Sequence, residues 1–246
     1  MRQPSLDQRL ATRALGVKSP VMYQRWSDLL FVHWRWDAAD LAGRLPAGIS
    51  VDTFDGSAWV GVVPFFMQRI RPRFLPAVPG ISWFLELNVR TYVYDSNGTS
   101  GVWFFSLDCN QRLAVQLARK LFHLPYFDAR MSAMRSAKDN IEYDCCRRRQ
   151  TSSAKFNYRI EGEPYRAEPG TLEFFLTERY VLFSESPSGL HRGQVEHKPY
   201  PLSQTTVEKL SAAPLLWNGF AAPSTKPDHI IGSRGVDVRI GKLERL

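Results

Sequence analysis

The chain has 246 residues, 44% of them hydrophobic, and its 32 Lys and Arg against 24 Asp and Glu give a formal net charge of +8. This composition argues against bulk disorder and provides for a substantial core, in one large β-rich domain or two small ones. Three cysteines, Cys109 and the adjacent Cys145 and Cys146, argue against a disulfide framework and for a reducing compartment.

Residues 1–20 carry charges but no apolar core of a secretory signal, and no apolar run approaches the roughly 20 residues of a membrane span. A loosely ordered lead-in with a short helix over Ser5 to Leu15 is expected, followed by a single domain over 21–246. A cytoplasmic address and no membrane partner are expected. Ser27 to Trp36 alternates as a strand, with Leu29, Phe31, His33 and Arg35 on one face. Asp37 then offers an N-cap to a short helix that ends before Pro46. Ile49 to Phe54 and Ala58 to Phe66 read as strands joined through Asp55-Gly56, a hairpin signal. Met67 to Gly80 holds Arg69, Arg71 and Arg73, no acid, and Pro72, Pro76 and Pro79. It reads as a long basic loop, either a surface crossover or a cover over a site.

Two alternating strands follow, on either side of an Asp-Ser-Asn-Gly turn. In the first, Phe84, Glu86, Asn88, Arg90 and Tyr92 share one face, and Leu85, Leu87, Val89, Thr91 and Val93 the other. A short helix leads into Leu124-Pro125-Tyr126. Ile141 to Gln150 and Ala154 to Ile160 read as paired strands. Leu172 to Arg179 begins as a helix capped by Thr171, and Tyr180 to Glu185 and Leu190 to His197 are strands. Ser203 to Leu210 reads as a helix, Pro214 to Pro227 as a loop, and His229 to Ser233 and Gly235 to Leu243 as closing strands. Many hairpins with few short helices predict one α+β domain, mainly antiparallel β, in a closed or cone-like barrel.

The blocks FDGSAWVGVVPFFM, ELNVRTYV, GVWFFSLD, LFHLPYFDARM, FLTERY and GVDVRIGKLER together resemble the YqjF-like family of bacterial proteins, a domain of unknown function. The resemblance runs from about Trp26 to Arg245. It implies an acetoacetate decarboxylase-like β-barrel or cone with an interior cavity and a few short helices. The decarboxylase forms a Schiff base on a lysine whose pKa a second, adjacent lysine depresses. At the similar run Phe122-His123-Leu124-Pro125-Tyr126-Phe127, Tyr126 and Phe127 stand at the lysine positions. A phenol cannot form an imine, so Schiff-base decarboxylation is disfavoured.

The resemblance places Glu86 where that fold carries an acid in its cavity. Next-but-one spacing sets Glu86, Asn88 and Arg90 roughly 7 Å apart along one strand face. Such a row could grip a polar ligand, Arg90 by a bidentate carboxylate contact, or could be a structural network. Glu86 and Tyr126 are the catalytic candidates. Arg90, Asn88, His33, Glu178 and Arg179 are the ligand-binding ones. Adjacent Cys145 and Cys146 point to opposite strand faces, and the histidines lack metal spacing, so neither metal nor cofactor is expected. His191 and His197 read as surface residues. Arg147-Arg148-Arg149 reads as a solvated strand end, since alternation breaks the run, and a nucleic-acid partner is disfavoured. A small polar molecule bearing a carboxylate or carbonyl is the expected ligand, bound either for acid–base catalysis or by a non-catalytic sensor. A homo-oligomer is left open.

Overall fold

The computed structural model describes residues 2–246; Met1, the first residue of the expected lead-in, lies outside them. Helix α1 (Leu6–Ala14) begins at a capping box. The Gln8 backbone N–H donates to Ser5 Oγ, and the Ser5 N–H donates back to Gln8 Oε1 at 2.8 Å. Arg9 ties the helix to the body by donating through both terminal nitrogens to Asp52, 2.7 Å from Nη2 to Oδ1.

The strands are β1 (Met22–Trp36), β2 (Ile49–Val51), β3 (Ala58–Pro72), β4 (Phe84–Asp95), β5 (Ser100–Cys109), β6 (Tyr126–Arg135), β7 (Ile141–Arg147), β8 (Ala154–Tyr165), β9 (Val181–Ser186), β10 (Gly189–His197), β11 (Leu202–Lys209) and β12 (His229–Arg245). Short helices intervene: α2 (Ala38–Ala42), α3 (Arg112–Phe122), α4 (Leu172–Thr177) and α5 (Ala213–Trp217). Pairing is antiparallel except where β5 meets β6 and β9. The sheet closes twice. One ring runs β5-β6-β7-β8-β11-β12-β1-β3-β4 and back to β5; the other runs from β12 through β10 and β9 to β5. Both share the wall β12-β1-β3-β4-β5.

That wall is buried on both faces, which is why β4 is buried from Leu85 to Asp95. Leu30, Val32, Val62, Leu87 and Val89 pack with Tyr143, Phe156 and Tyr158 of the larger ring. Leu29, Phe31, Val63, Phe65 and Tyr92 pack on the opposite side with Tyr126, Val115 of α3, and Phe174 and Phe175 of α4. The even-numbered polar residues of β4 belong to this second face by alternation. Among the described residues, no helix is long and apolar enough to cross a membrane.

Several expectations need correction. Ser203 to Leu210 is strand β11, not a helix. Its Thr205 and Thr206 pair with Ile160 and Arg159 of β8, and the β-branched run Thr205-Thr206-Val207 suits a pleated surface better than a helix. Strand β3 continues through Met67 to Pro72, so the loop begins later than expected. A bulge at Arg69, whose φ is 50°, lets it do so. Ile49 to Val51 pairs with β4 rather than with β3. Asp55-Gly56 does turn the chain, with φ of 48° and 75°, but closes only the bridge from Phe54 to Ser57. The two closing strands are one, β12. Gly235 sits in it at φ +123°, where a Cβ would lie 2.0 Å from the Trp26 carbonyl oxygen. The expected loop after Pro214 begins with α5.

Candidate functional site

Glu86, Asn88 and Arg90 are 3%, 4% and 8% exposed. The Tyr126 hydroxyl, at the start of β6, donates to Glu86 Oε2 at 2.7 Å. Tyr143 donates from the far side of the wall to the Glu86 carbonyl at 2.8 Å, fixing the backbone there. Burial pushes the Glu86 carboxyl up to about 7, against the smaller opposing pull of hydrogen bonds from Tyr126 and Asn88. Burial and the neighbouring Glu86 push the Tyr126 phenol well above its usual value, so it remains a neutral donor. Cys109, opposite Glu86 on β5, is held protonated by burial and is a poor nucleophile.

Arg90 lies further along the same face. Its Nη2 donates to the Leu176 carbonyl at 3.1 Å, and its guanidinium sits over the Phe31 ring, 5.4 Å from the centroid. Among the described residues no carboxylate lies within ion-pair distance of it. Its Nε, and Asn88 Oδ1, are buried without a hydrogen-bond partner. The Tyr92 hydroxyl is 3.5 Å from Arg90 Nη2 and 2.8 Å from His33 Nε2. His33 Nδ1 faces His229 Nδ1 at 3.3 Å. Burial first, then His229 and Arg90, hold His33 neutral by lowering its pKa well below the usual value. Gly61 makes room for this cluster: a Cβ there would come within 3.0 Å of His33 Cδ2 and 3.5 Å of Arg90 Cγ.

Glu178 and Arg179 leave α4 toward the same interior. Arg179 donates from Nη1 to Asp52 at 2.7 Å and from Nε to the Phe175 carbonyl, with its Nη2 unpartnered. Its guanidinium lies 5.1 Å from the Tyr92 ring centroid. Burial lowers its pKa to about 10 despite Asp52. Glu178 accepts from the Tyr200 backbone N–H at 3.1 Å and from the Tyr180 hydroxyl. It has no direct bond to the β4 row. Thus Tyr126 and Asn88 each bond Glu86, Arg90 and His33 meet through Tyr92, and Arg179 borders them. Two surface grooves, one beside α1 and one beside Trp103 and His123, are lined by none of these side chains.

The reading from sequence passes over Tyr92 as a hub, although it lies on the face that reading defines. It also misses His229 and Asp52. His197, expected at the surface, is buried between the Tyr180 and Tyr200 rings, each centroid at 4.6 Å. His191 is partly buried and bonds Ser186 Oγ at 2.8 Å. Arg147 is no solvated strand end: it is 5% exposed and grips Asp108 at 2.6 and 2.8 Å with two nitrogens. Phe127 faces away from Glu86 and stacks under Arg147.

Residues 23–237 match DUF2071, a family described as an uncharacterized conserved protein. The chain belongs to the DUF2071 family. It is 40% identical over 190 residues to the uncharacterized protein YqjF of Bacillus subtilis (strain 168), covering 76% of this chain and 77% of that protein. Among solved structures, it is similar to an acetoacetate decarboxylase-like enzyme from Sphingomonas wittichii RW1, with a TM-score of 0.63 and 16% identity over 93% and 94% of the two chains. It is also similar to acetoacetate decarboxylase from Legionella pneumophila, with a TM-score of 0.62 and 14% identity over 92% and 87%. A third is the enduracididine biosynthesis enzyme MppR, with a TM-score of 0.61 and 12% identity over 92% and 89%. This DUF2071 protein therefore has the acetoacetate decarboxylase-like fold, and its doubly closed sheet is cone-like rather than an even barrel. Every lysine in it is exposed: Lys18, Lys120, Lys138, Lys155, Lys198, Lys209, Lys226 and Lys242.

Proposed function

We propose that this protein binds a small polar molecule bearing a carboxylate or carbonyl in the smaller ring, with Glu86 as the acid–base group. One observation carries the reading: a buried carboxyl poised near pH 7 shares a strand face with a buried guanidinium that lacks a counter-ion. A ligand carboxylate or enolate oxygen would supply that counter-ion and engage the unpartnered Arg90 Nε. The unpartnered Asn88 Oδ1 would accept from a ligand hydroxyl or amide. Ionised Glu86 would take a proton from carbon next to a carbonyl, leaving the negative charge on the oxygen facing Arg90. Protonated Glu86 would free the Tyr126 hydroxyl to donate to the ligand. His33 holds the Tyr92 hydroxyl, Arg179 offers only Nη2, and Glu178 acts as a brace with both oxygens occupied.

The exposure of every lysine supports chemistry without an imine, because a Schiff-base lysine needs a desolvated site to be neutral. Incubation with acetoacetate or pyruvate followed by borohydride is expected to leave the protein's mass unchanged. A stable adduct on any lysine would refute that part of the reading.

Binding is tested by thermal shift with small carboxylic and keto acids, pyruvate among them. A ligand at about one hundred times its Kd stabilises by about 2.7 kcal/mol, which raises Tm by roughly 5–10 °C in a chain of this size. Arg90→Lys should shrink the shift, since lysine cannot present the same planar fork. No shift with any acid, or an equal shift in Arg90→Lys, would sink the proposal. The second reading is a non-catalytic sensor on the same scaffold, favoured by the Glu86 oxygen already bonded to Tyr126. Ligands that bind but are recovered unchanged select it.

A further inference from the structure

The molecule carries an apolar surface that the interior site does not use. The connection between β3 and β4 exposes Phe74, Leu75, Val78, Ile81 and Trp83, with Phe74 at 86%. On α3, Leu113, Leu117 and Leu121 are more than half exposed and recur every fourth residue, so they form one stripe along the helix. The opposite side of α3 is already satisfied: Val115 is buried in the core, and Ala114, Ala118 and Phe122 pack against it. The outer stripe is therefore surplus to folding. The two apolar surfaces adjoin, because the Gln111 side chain, which caps α3, donates to the Gly80 carbonyl at 2.7 Å. The loop is no loose excursion. Its ends are held by the Ile70 N–H on the Ser82 carbonyl and the Arg73 N–H on the Val21 carbonyl.

The two segments that form this surface carry charge of one sign. Residues 69–83 and α3 contribute Arg69, Arg71, Arg73, Arg112, Arg119 and Lys120 and no Asp or Glu. Among the described residues, none of these six pairs with a carboxylate. Arg71 lies over the Tyr23 ring and Arg73 over the Phe74 ring, so both charges sit beside aromatic side chains. Two copies of the chain meeting through this face would bring like charges together across a two-fold axis, which argues against self-association. A tryptophan, a phenylalanine and leucines within a basic rim fit the boundary layer of an anionic bilayer, where rings and leucines enter the acyl edge and arginines meet phosphates.

We propose that the β3–β4 loop and the outer stripe of α3 form a peripheral docking face for an anionic lipid bilayer. This departs from the expectation of no membrane partner. That expectation came from the absence of a spanning run, and interfacial docking needs none.

Co-sedimentation of the full chain with vesicles tests the proposal. With phosphatidylcholine containing about one third phosphatidylglycerol, at low salt, the protein is expected in the pellet. Pure phosphatidylcholine, or sodium chloride near 0.5 M, should reduce binding roughly tenfold. The paired change Phe74→Ser with Leu75→Ser, and separately Leu117→Gln, should each reduce it roughly tenfold while Tm stays within a degree or two, since both sites are exposed. Three results would overturn the proposal. The first is no pellet with the anionic vesicles. The second is binding indifferent to both apolar changes. The third is concentration-dependent self-association abolished by those changes, which would assign the face to a second copy.

Discussion

Glu86→Gln is expected to stabilise the protein at pH 8 and to leave its stability unchanged near pH 4. The folded carboxyl titrates at about 7, against 4.5 when free. Below pH 4.5 both the folded and unfolded states hold the proton, and burial costs nothing extra. Between 4.5 and 7 the unfolded chain releases its proton first, so stability falls as pH rises. Above 7 the loss is complete, at about 3 kcal/mol. Glutamine keeps an oxygen for the Tyr126 hydroxyl but carries no charge to desolvate, so the variant escapes this loss. Urea unfolding of both proteins at several pH values checks it. The informative quantity is the difference between them, because Asp28 and Asp108 also have carboxyls raised by burial. A difference that does not grow between pH 5 and 8 would mean Glu86 is not poised as described. A native sequence that keeps a destabilising charge at such a position is consistent with a use for its proton.

Asp52→Ala is expected to have the largest destabilising effect, about 3–5 kcal/mol, or roughly 10 °C in Tm. Asp52 is fully buried and neutralises Arg179, which is itself buried, together with Arg9 of α1. Removing the carboxylate leaves the Arg179 charge in the interior without a partner, and that uncompensated charge supplies most of the loss. Arg9→Ala provides the contrast. It leaves the pair of Asp52 with Arg179 intact and should cost less, about 1.5–3 kcal/mol, the range of hydrogen bonding to a charged group. Both changes should speed proteolysis near α1. Equal losses of stability in the two variants would mean that Asp52 serves the helix rather than the interior.

The period of two made the β4 row legible without a structure, because side-chain alternation needs no knowledge of partners. The paired β7 and β8 strands and the cap on α4 were legible for similarly local reasons. Family resemblance set Glu86 and Tyr126 among the candidates, but no local pattern implies the bond between them. Contacts set by ring closure left no local trace. His33 reaches Tyr92 across 59 positions and His229 across 196. Arg147 misled because three consecutive arginines resemble a solvated end, whereas its buried partner Asp108 lies on another strand. Strand β11 misled because the pairing that decides its form comes from β8, far away in sequence.

The shared wall also governs how the chain can be assembled. Strand β12 is last in sequence, pairs with β1 near the beginning, and closes one ring through β11 and the other through β10. Neither enclosure can form while β12 is unmade, so a growing polypeptide holds both apolar wall faces open until synthesis has passed β12. Such sequence-distant closure implies slow folding and a long interval in which unpaired strand edges are open to misassociation.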